Sequence, residues 1–230
     1  MSTVPVIAID GPSGSGKGTI ARAVAAQLGW HLLDSGALYR VLAIAAEEAE
    51  VGDGEPARLK SLARHLRVEF RDDGKGGERI LLDGRDVSLK VRAETTGEQA
   101  SLLAVIPEAR AGLKDLQRSF RRAPGLVADG RDMGTVIFPD AVLKLFLTAG
   151  TRERAKRRYN QLKEKGLTAN LDGLFRDISS RDERDQNRAV SPLKPAADAV
   201  MLDTTGLAIG RVVERVMELA GERLGAKPGN

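Results

Sequence analysis

The feature that most constrains the fold is a glycine-rich loop near the start of the chain. Residues 4–10 are apolar and strand-like, and residues 11–19 follow with the sequence Gly-Pro-Ser-Gly-Ser-Gly-Lys-Gly-Thr. Apolar residues then recur at helical spacing up to Leu28, and Gly29 is suited to end that helix. Strand, glycine-rich loop and helix in this order predict a phosphate-binding loop, because loop amides and a positive helix N-terminus surround an anion.

The loop residues predict how a nucleoside triphosphate is held. Lys17 can reach the terminal phosphates. A glycine, Gly18, follows the lysine, so the hydroxyl arrives one place later at Thr19. Because Gly18 cannot ligand Mg²⁺, we expect phosphate oxygens and water to hold most of the metal. The residues expected to bind ATP are Gly11, Pro12, Ser13, Gly14, Ser15, Gly16, Lys17, Gly18 and Thr19.

Composition limits the class of protein. The 230 residues suffice for one α/β core with insertions, or for two small domains, and the chain has no cysteine. The net charge of +4 is interleaved and aromatic residues make up 3%, which argues against a nucleic-acid surface. No apolar run has membrane-spanning length and there is no signal peptide, so we expect a cytoplasmic protein without a membrane partner. A monomer is the default expectation.

Strand-like runs alternate with helical patterns along most of the chain. Such alternation predicts a parallel sheet with helices on both faces. The runs cover residues 4–10, 31–34, 126–129, 142–147 and 199–202. Helical patterns cover residues 41–64 with a weak break at 51–56, 93–122 with an interruption near Pro107, 151–165, a following segment that ends at 188, and 209–224.

A different pattern lies between the second and third of these strands. Residues 66–70, 79–82 and 86–89 are strand-like and surround a glycine-rich turn at 72–77, which predicts a small antiparallel sheet. We therefore divide the chain into core (1–36), insertion (37–92), core (93–150), a helical segment (151–188) and core (189–230). The last residues, 225–230, are expected to be disordered.

The third strand ends in an acid and is followed by a cation. Asp129 follows an apolar run and is predicted to orient the Mg²⁺ shell, directly or through water. Arg131 comes where the chain crosses the strand ends, so its planar guanidinium is predicted to bind a phosphate. The alternative for Arg131 is a salt bridge to a neighbouring acid in the turn.

The second strand also ends at a candidate site. Ligands bind outside the carboxyl ends of strands in such sheets, which places residues 34–36 beside the phosphate-binding loop. Asp34 and its neighbours are alternatively an ordinary turn and helix N-cap. Arg40, about one turn into the next helix, is predicted to bind an acceptor phosphate.

Cations are concentrated in residues 151–188. Arg181, Arg184 and Arg188 share one helical face, and this segment occupies the place where small kinases have a closing lid. We predict that these three arginines stabilise the transferring phosphoryl group. The alternative is a solvated helix with weak i,i+4 pairs. For Arg152 and Arg154 we expect solvation.

The scarcity of histidine limits which phosphate acceptors are expected. The chain has two histidines, His31 and His65, and both are predicted to be structural. An alcohol acceptor needs a general base, whereas a nucleoside monophosphate is already largely ionised at pH 7. One lysine, several arginines and Mg²⁺ without a base therefore favour transfer from phosphate to phosphate.

With these residues in view, the chain resembles the bacterial cytidylate kinases of the nucleoside monophosphate kinase family over nearly its whole length. Four motifs carry the resemblance, at residues 9–19, 33–40, 128–135 and 181–188. It implies an α/β fold of the P-loop NTPase type with a monophosphate-binding insertion and a helical lid. It also implies a catalytic set of Lys17, Arg131, Arg181, Arg184 and Arg188.

The resemblance further implies how CMP or dCMP is bound. Ser101, Arg110 and Asp132 would read the cytosine edge. Arg40, Arg131 and Arg188 would hold the acceptor phosphate. Ser35 and Asp185 would lie near the sugar and its phosphate. Without the resemblance, Ser101 would be a helix surface residue and Arg110 a solvated one.

The expected reaction is transfer of the γ-phosphate of ATP to CMP or dCMP with Mg²⁺. Three alternatives stay open at this point. The chain is otherwise a kinase for another acceptor such as AMP, UMP or shikimate, a regulator that senses ATP, or a basic RNA-binding domain. Acceptor-dependent turnover separates a kinase from a regulator, and steeply salt-dependent binding would indicate nucleic acid.

Overall fold

The computed structural model describes residues 3–72, 74, 78–164, 166 and 168–225 of the chain. These residues fall into two compact units. The core unit comprises the chain up to Leu33 and from Phe120 onwards, and the inserted unit spans Asp34–Ser119. Residues 226–230, expected to be disordered, lie outside the described residues.

The order of the elements matches the predicted alternation of strands and helices. In chain order they are β1 (Val6–Asp10), α1 (Lys17–Leu28), β2 (His31–Asp34), α2 (Ser35–Glu48), α3 (Pro56–Arg64), β3 (Val68–Asp72), β4 (Glu78–Leu82), β5 (Arg85–Asp86), α4 (Ser88–Val91), α5 (Glu94–Leu103), α6 (Pro107–Ser119), β6 (Leu126–Gly130), a π-helix (Met133–Ile137), β7 (Leu143–Thr148), α7 (Thr151–Glu164), α8 (Leu171–Asn187), β8 (Val200–Asp203) and α9 (Ile209–Leu224).

Among the described residues, five strands form the main sheet in the order β2-β6-β1-β7-β8. β1 runs parallel to both of its neighbours, with Ile9 opposite Asp129 of β6 and Leu145 of β7. Every residue of β1 is buried, as expected for a central parallel strand covered on both faces. This arrangement brings the carboxyl ends of β1, β6 and β7 together, and it confirms the predicted fold class.

The core of this unit lies between the sheet and two helices. Ile9 of β1 and Ile20 of α1 are buried in the same apolar cluster as Val213 and Val216 of α9. The apolar stripe of α9 thus covers the sheet, as predicted. Helix α1 ends at Gly29, whose φ of 64° is the left-handed conformation that a glycine adopts at low cost.

The inserted unit has an apolar cluster of its own, in which Leu42, Leu59, Leu82 and Leu113 are nearly inaccessible. Its three-stranded sheet has the order β3-β4-β5, and both pairings are antiparallel. Helix α6 packs against α3, and α5 packs against α2. Because of this packing the unit continues to Ser119, whereas the sequence division ends the insertion at residue 92.

The structure corrects the third strand of this small sheet. Residues 86–89 were expected to be strand, but β5 contains Arg85 and Asp86 alone, and α4 begins at Ser88. The cause is local: Asp86 Oδ1 accepts hydrogen bonds from the Ser88 amide at 2.9 Å and from the Ser88 hydroxyl at 2.5 Å, which turns the chain into a helix. Of the predicted turn at 72–77, residues 73 and 75–77 lie outside the described residues. In the described part of the chain, no helix combines the length and hydropathy needed to cross a membrane.

Candidate active site

The predicted phosphate-binding loop connects the carboxyl end of β1 to the first residue of α1, which is Lys17. Gly16 precedes that helix with a φ of 90°. Lys17 is 7% exposed, and its Nζ donates to the Pro12 carbonyl at 3.0 Å. The predicted order of strand, loop and helix is therefore confirmed, with the lysine folded back over its own loop.

Side chains from outside the loop hold its carbonyl groups. Arg154 of α7 donates to the Ser13 carbonyl at 2.9 Å. Arg157 of α7 and the hydroxyl of Thr204, which follows β8, lie 3.4 and 3.1 Å from the Ser15 carbonyl. Because these groups take up the carbonyls, the backbone of the loop is fixed before an anion binds its amides.

The expectation that Arg154 is solvated is wrong. The residue is 3% exposed, since its guanidinium finds acceptors on three sides, whereas Arg152 on the same helix is exposed as expected. The sequence did not reveal the roles of Arg154 and Arg157, because the spacing of charges along a helix does not show which distant loop they contact. Thr204 was also missed, although its position directly after a strand marks the carboxyl edge of the sheet.

Asp129, the acid that ends the apolar run of β6, lies against the start of α1. It is 7% exposed, and its Oδ2 is 3.0 Å from the point where a side chain at Gly18 would begin. A serine or threonine at position 18 would meet this carboxylate. The absence of a side chain at Gly18 thus leaves room for the Asp129 carboxylate in its present position.

Asp10, at the end of β1, is a buried acid that the sequence analysis missed. Its two carboxylate oxygens accept from the amides of Met133 and Gly134, each at 2.8 Å, and it is 4% exposed. Burial raises the pKa of Asp10 to about 6, although the two amide hydrogen bonds lower it. The carboxylate fixes the segment that directly follows Asp132. The signal that identified Asp129, an acid ending an apolar strand, also applies to Asp10.

Three of the predicted substrate-binding residues meet in one buried ionic cluster of the core unit. Arg131 Nε donates to Asp185 Oδ2 at 2.9 Å, and Arg188 Nη1 lies 3.8 Å from Asp185 Oδ1. Burial opposes the charge on Asp185, but Arg131, Arg181 and Arg188 outweigh it and hold its pKa below the usual range. Burial likewise acts to lower the pKa of Arg131, and the negative charges of Asp185 and Asp129 raise it above the usual value.

The remaining predicted cations lie on α8. Arg181 and Arg184 are partly buried, and Arg181 contributes to the field that lowers the pKa of Asp185. The Nε atom of Arg184 is buried and has no hydrogen-bond partner in the described part of the chain. Arg188 follows the helix as its C-cap and also donates from Nε to the Ser191 carbonyl. The basic face of α8 is therefore not a solvated surface.

At the start of the inserted unit, Asp34 and Arg40 have structural contacts. Asp34 is the N-cap of α2 and accepts from the Ala37 amide at 3.0 Å, while Ser35 is the buried first residue of that helix. Arg40 donates to the carbonyls of Val91 and Ala93 at 2.8 and 2.9 Å. Its guanidinium thus binds carbonyl groups at the C-terminal end of α4, a contact that the sequence did not indicate.

Ser101 and Arg110, which the resemblance alone singled out, are buried in the inserted unit. Ser101 on α5 is 3% exposed, and its Oγ has no hydrogen-bond partner among the described residues. Arg110 on α6 is 7% exposed, donates to the Ala104 carbonyl at 3.1 Å and lies 5.6 Å over the Tyr39 ring. Helical periodicity alone would have assigned both residues to the surface.

Both histidines are bonded to backbone carbonyls, in agreement with their predicted structural role. His31 contacts the Ala123 carbonyl at 3.0 Å, and His65 contacts its own helix at the Ser61 carbonyl, at 2.8 Å. Within residues 3–72, 74, 78–164, 166 and 168–225, no group of three metal-ligating side chains occurs. Asp129, a buried carboxylate beside the phosphate-binding loop, is of the oxygen-donor type that Mg²⁺ prefers.

Comparison with known proteins places this site in a family. The family profile described as Cytidylate kinase matches residues 7–222. Curated proteins named cytidylate kinase include one from Pseudomonas entomophila, 57% identical over 94% of this chain and 95% of the relative. Those from Shewanella denitrificans and Marinomonas sp. are each 53% identical, over 93% and 92% of this chain and 95% and 93% of the relatives.

Proposed function

Because this chain belongs to the cytidylate kinase family, we propose that it transfers the γ-phosphate of ATP to CMP or dCMP. An oxygen of the acceptor phosphate forms a bond to the γ-phosphorus, and the bond between that phosphorus and the β,γ-bridging oxygen breaks. ADP leaves with the bonding electrons, and CDP or dCDP is the second product. The phosphate acceptor is largely ionised at pH 7, so the step does not require a side chain to remove a proton.

The donor is proposed to bind at the loop before α1. Backbone amides of residues 11–19 and the N-terminus of α1 attract its phosphates, and Lys17 supplies a positive charge where the γ-phosphate leaves. The rigid attachment of the Ser13 and Ser15 carbonyls supports this role, since it orients the loop amides in advance.

Arg131 and Arg188 are proposed to hold the acceptor phosphate, with Asp185 near the sugar. The observation that supports this assignment is the buried Arg131–Asp185–Arg188 cluster, in which two guanidinium groups share one carboxylate. Guanidinium groups held in this way can also donate to the oxygens of a phosphate, which supports the assignment. Arg181 and Arg184 would stabilise the transferring group from α8, whereas Arg40 and Ser35 are assigned on the family motif.

Recognition of cytosine is proposed for Ser101 and Arg110 in the inserted unit and for Asp132 in the core unit. The base offers two acceptors, N3 and O2, and one amino donor. A hydroxyl and a guanidinium can serve the acceptors, and a buried carboxylate can accept from the amino group. Uracil has a carbonyl in place of that amino group, so an acid at position 132 disfavours UMP.

Asp129 is the residue proposed to hold Mg²⁺, through water. When bound, the ion neutralises charge on the phosphates of ATP. The Asp129 carboxylate lies 3.0 Å from the point where a side chain at Gly18 would begin, directly beside the phosphate-binding loop, which supports this assignment. The chain itself contributes the position of that carboxylate.

Measurement of ADP release tests the function. Mg·ATP is supplied with CMP, dCMP, UMP, AMP or shikimate as the sole acceptor. We expect turnover with CMP and dCMP far above that with the other three. Equal turnover with another acceptor would overturn the proposed base recognition, and the absence of acceptor-dependent ADP would overturn the kinase.

A further inference from the structure

One arginine of α7 connects two parts of the proposed active site. Arg154 donates from Nε to the Ala149 carbonyl at 2.8 Å, and from Nη2 to the Thr151 hydroxyl at 2.9 Å. Its Nη1 reaches the Ser13 carbonyl of the phosphate-binding loop at 2.9 Å. The first two contacts fix the guanidinium on its own helix, and the third attaches it to the loop.

The same guanidinium is paired with α8. Asp182 accepts from Nη1 at 3.1 Å and from Nη2 at 2.5 Å, a bidentate pair in which the Arg154 side chain is 4% and the Asp182 side chain 14% exposed. Asp182 stands between Arg181 and Arg184 in the sequence. The residue that fixes the phosphate-binding loop therefore also fixes the helix that carries the proposed transition-state cations.

The loop is shaped to accept this arginine. A side chain at Gly14 would begin 3.2 Å from Arg154 Cβ, so the loop and α7 are in contact at the position of that glycine. Arg157 offers an internal comparison, because it also holds the loop, at the Ser15 carbonyl. Its other acceptors are Thr204 and Glu153 rather than a residue of α8.

We propose that Arg154 is a positioning residue that couples the phosphate-binding loop to α8, with Asp182 as its partner on that helix. The bidentate pair fixes the distance and angle between the donor phosphates and the arginines of α8. The role assigned to Arg154 rests on the proposed phosphoryl transfer, in which those arginines act on the group that leaves the loop. Neither Arg154 nor Asp182 needs to touch a substrate for this.

Asp182→Asn separates the coupling from the loop contact. It weakens the ion pair but leaves the Arg154 bonds to Ser13, Ala149 and Thr151 in place. We expect kcat for CMP phosphorylation to fall about 10-fold to 100-fold, as for a displacement of reacting groups by up to 1 Å. The KM for ATP should stay within about twofold, because the lost interaction matters in the transition state.

Two further variants complete the series. Arg154→Met removes both contacts, so we expect kcat to fall at least as far and the KM for ATP to rise. Asp182→Glu keeps the carboxylate and should recover part of the lost kcat. Arg152→Ala and Glu183→Gln alter exposed residues of the same two helices and should leave kcat and KM unchanged.

The proposal is overturned if Asp182→Asn keeps the kcat of the wild type. It is equally overturned if the variants lower the midpoint of thermal unfolding without changing kcat, which is what a purely structural ion pair would do. Circular dichroism gives that midpoint for every variant.

A second measurement does not depend on turnover. Hydrogen exchange is recorded for the full chain with and without Mg·ATP. We expect bound ATP to slow exchange in the loop and α1 of both proteins, and to slow exchange in α8 less in Asp182→Asn than in the wild type. Equal slowing of α8 in the two proteins would contradict the coupling. A wild type without CMP-dependent turnover would instead contradict the proposed function, and the exchange data would still decide the coupling.

Discussion

Buried charges form opposite-charge pairs at two places in the core unit, whereas the two buried residues of the inserted unit that are proposed to read the base have other neighbours. In the core unit, Asp185 lies between Arg131 and Arg188, and Asp182 pairs with Arg154. In the inserted unit, Arg110 contacts a carbonyl and an aromatic ring, and the Ser101 hydroxyl has no hydrogen-bond partner in the described part.

This difference follows from the cost of burying each kind of group. An ion that loses its partner in a protein interior costs about 3–5 kcal/mol, so the buried charges proposed to bind phosphate are paired in the absence of a ligand. An unpaired hydroxyl costs about 1–3 kcal/mol, which a folded unit can tolerate. We therefore expect substitutions of the paired charges in the core unit to affect both rate and stability strongly, and loss of the Ser101 hydroxyl in the inserted unit to affect mainly the binding of the acceptor.

The largest effect is expected for Lys17→Met. This change removes the positive charge at the phosphate-binding loop, and kcat should fall about 10³-fold, as for loss of one group that stabilises a transition state. The free energy of unfolding should fall by about 1 kcal/mol, which is the net contribution of a hydrogen bond such as that from Lys17 to Pro12. ADP release and urea unfolding measure the two effects. Lys156→Met, an exposed lysine of α7, is the control, and an equal loss there would contradict a specific role.

Arg131→Met tests whether the ionic cluster is needed for folding as well as for binding. We expect it to destabilise the chain by about 3–5 kcal/mol, because Asp185 loses its nearer partner. In the double variant Arg131→Met, Asp185→Leu, part of the lost stability should return because the carboxylate is gone, but Arg188 then lacks Asp185 and activity should not return. Urea unfolding of the three proteins measures this. If Arg131→Met were as stable as the wild type, the predicted difference between the two units in the cost of losing a buried contact would be wrong.

The buried carboxyl of Asp10 predicts that the stability of the core unit depends on pH. Its folded-state pKa of about 6 lies above the ordinary 3.8, so the folded protein holds the proton more tightly than the unfolded chain does. Protonation of Asp10 thus stabilises the fold below pH 3.8, and this contribution, about 3 kcal/mol, is lost as the pH rises to about 6.

Asp10→Asn does not titrate, so it isolates this contribution. The stability of the wild type relative to the variant should decrease by that amount over the same pH interval. Chemical unfolding at a series of pH values, without nucleotide, avoids interference from the phosphate groups. A constant difference between the two proteins would show that the carboxyl is not perturbed.

The smallest effect is expected in the inserted unit, from Ser101→Ala. Loss of one hydrogen bond to the base should raise the KM for CMP about 10-fold. The free energy of unfolding should stay unchanged or rise, since a buried hydroxyl without a partner is replaced by a methyl group. Ser61→Ala, at an exposed serine of α3, is the control. A clear loss of stability in Ser101→Ala would mean that the hydroxyl is structural.

Local sequence patterns predicted the elements that carry the chemistry. The phosphate-binding loop, Asp129 and the apolar stripe of α9 were found because strand ends and helical periodicity are readable from neighbouring residues. The boundary of the inserted unit was not, because it depends on α5 and α6 packing against α2 and α3. The prediction of a strand at 86–89 was wrong because of one local side-chain contact, between Asp86 and Ser88.

The contacts that sequence reasoning missed join residues far apart in the chain. Arg154 and Ser13, or Asp10 and Gly134, are brought together by the order of strands in the sheet, which spacing does not encode. The burial of Ser101 and Arg110 was equally invisible, since a serine and an arginine on a helix are ordinarily surface residues. The family resemblance supplied those two positions.

The short distance between Gly18 and Asp129 has a consequence for how this site can change over generations. A side chain at position 18 would start 3.0 Å from the Asp129 carboxylate, so that carboxylate has to shift slightly to admit it. A smaller residue at 129 would remove this contact, whereas replacement of Asp129 alone meets no obstacle from Gly18. The order of substitutions therefore matters, because the effect of a side chain at 18 depends on which residue stands at 129.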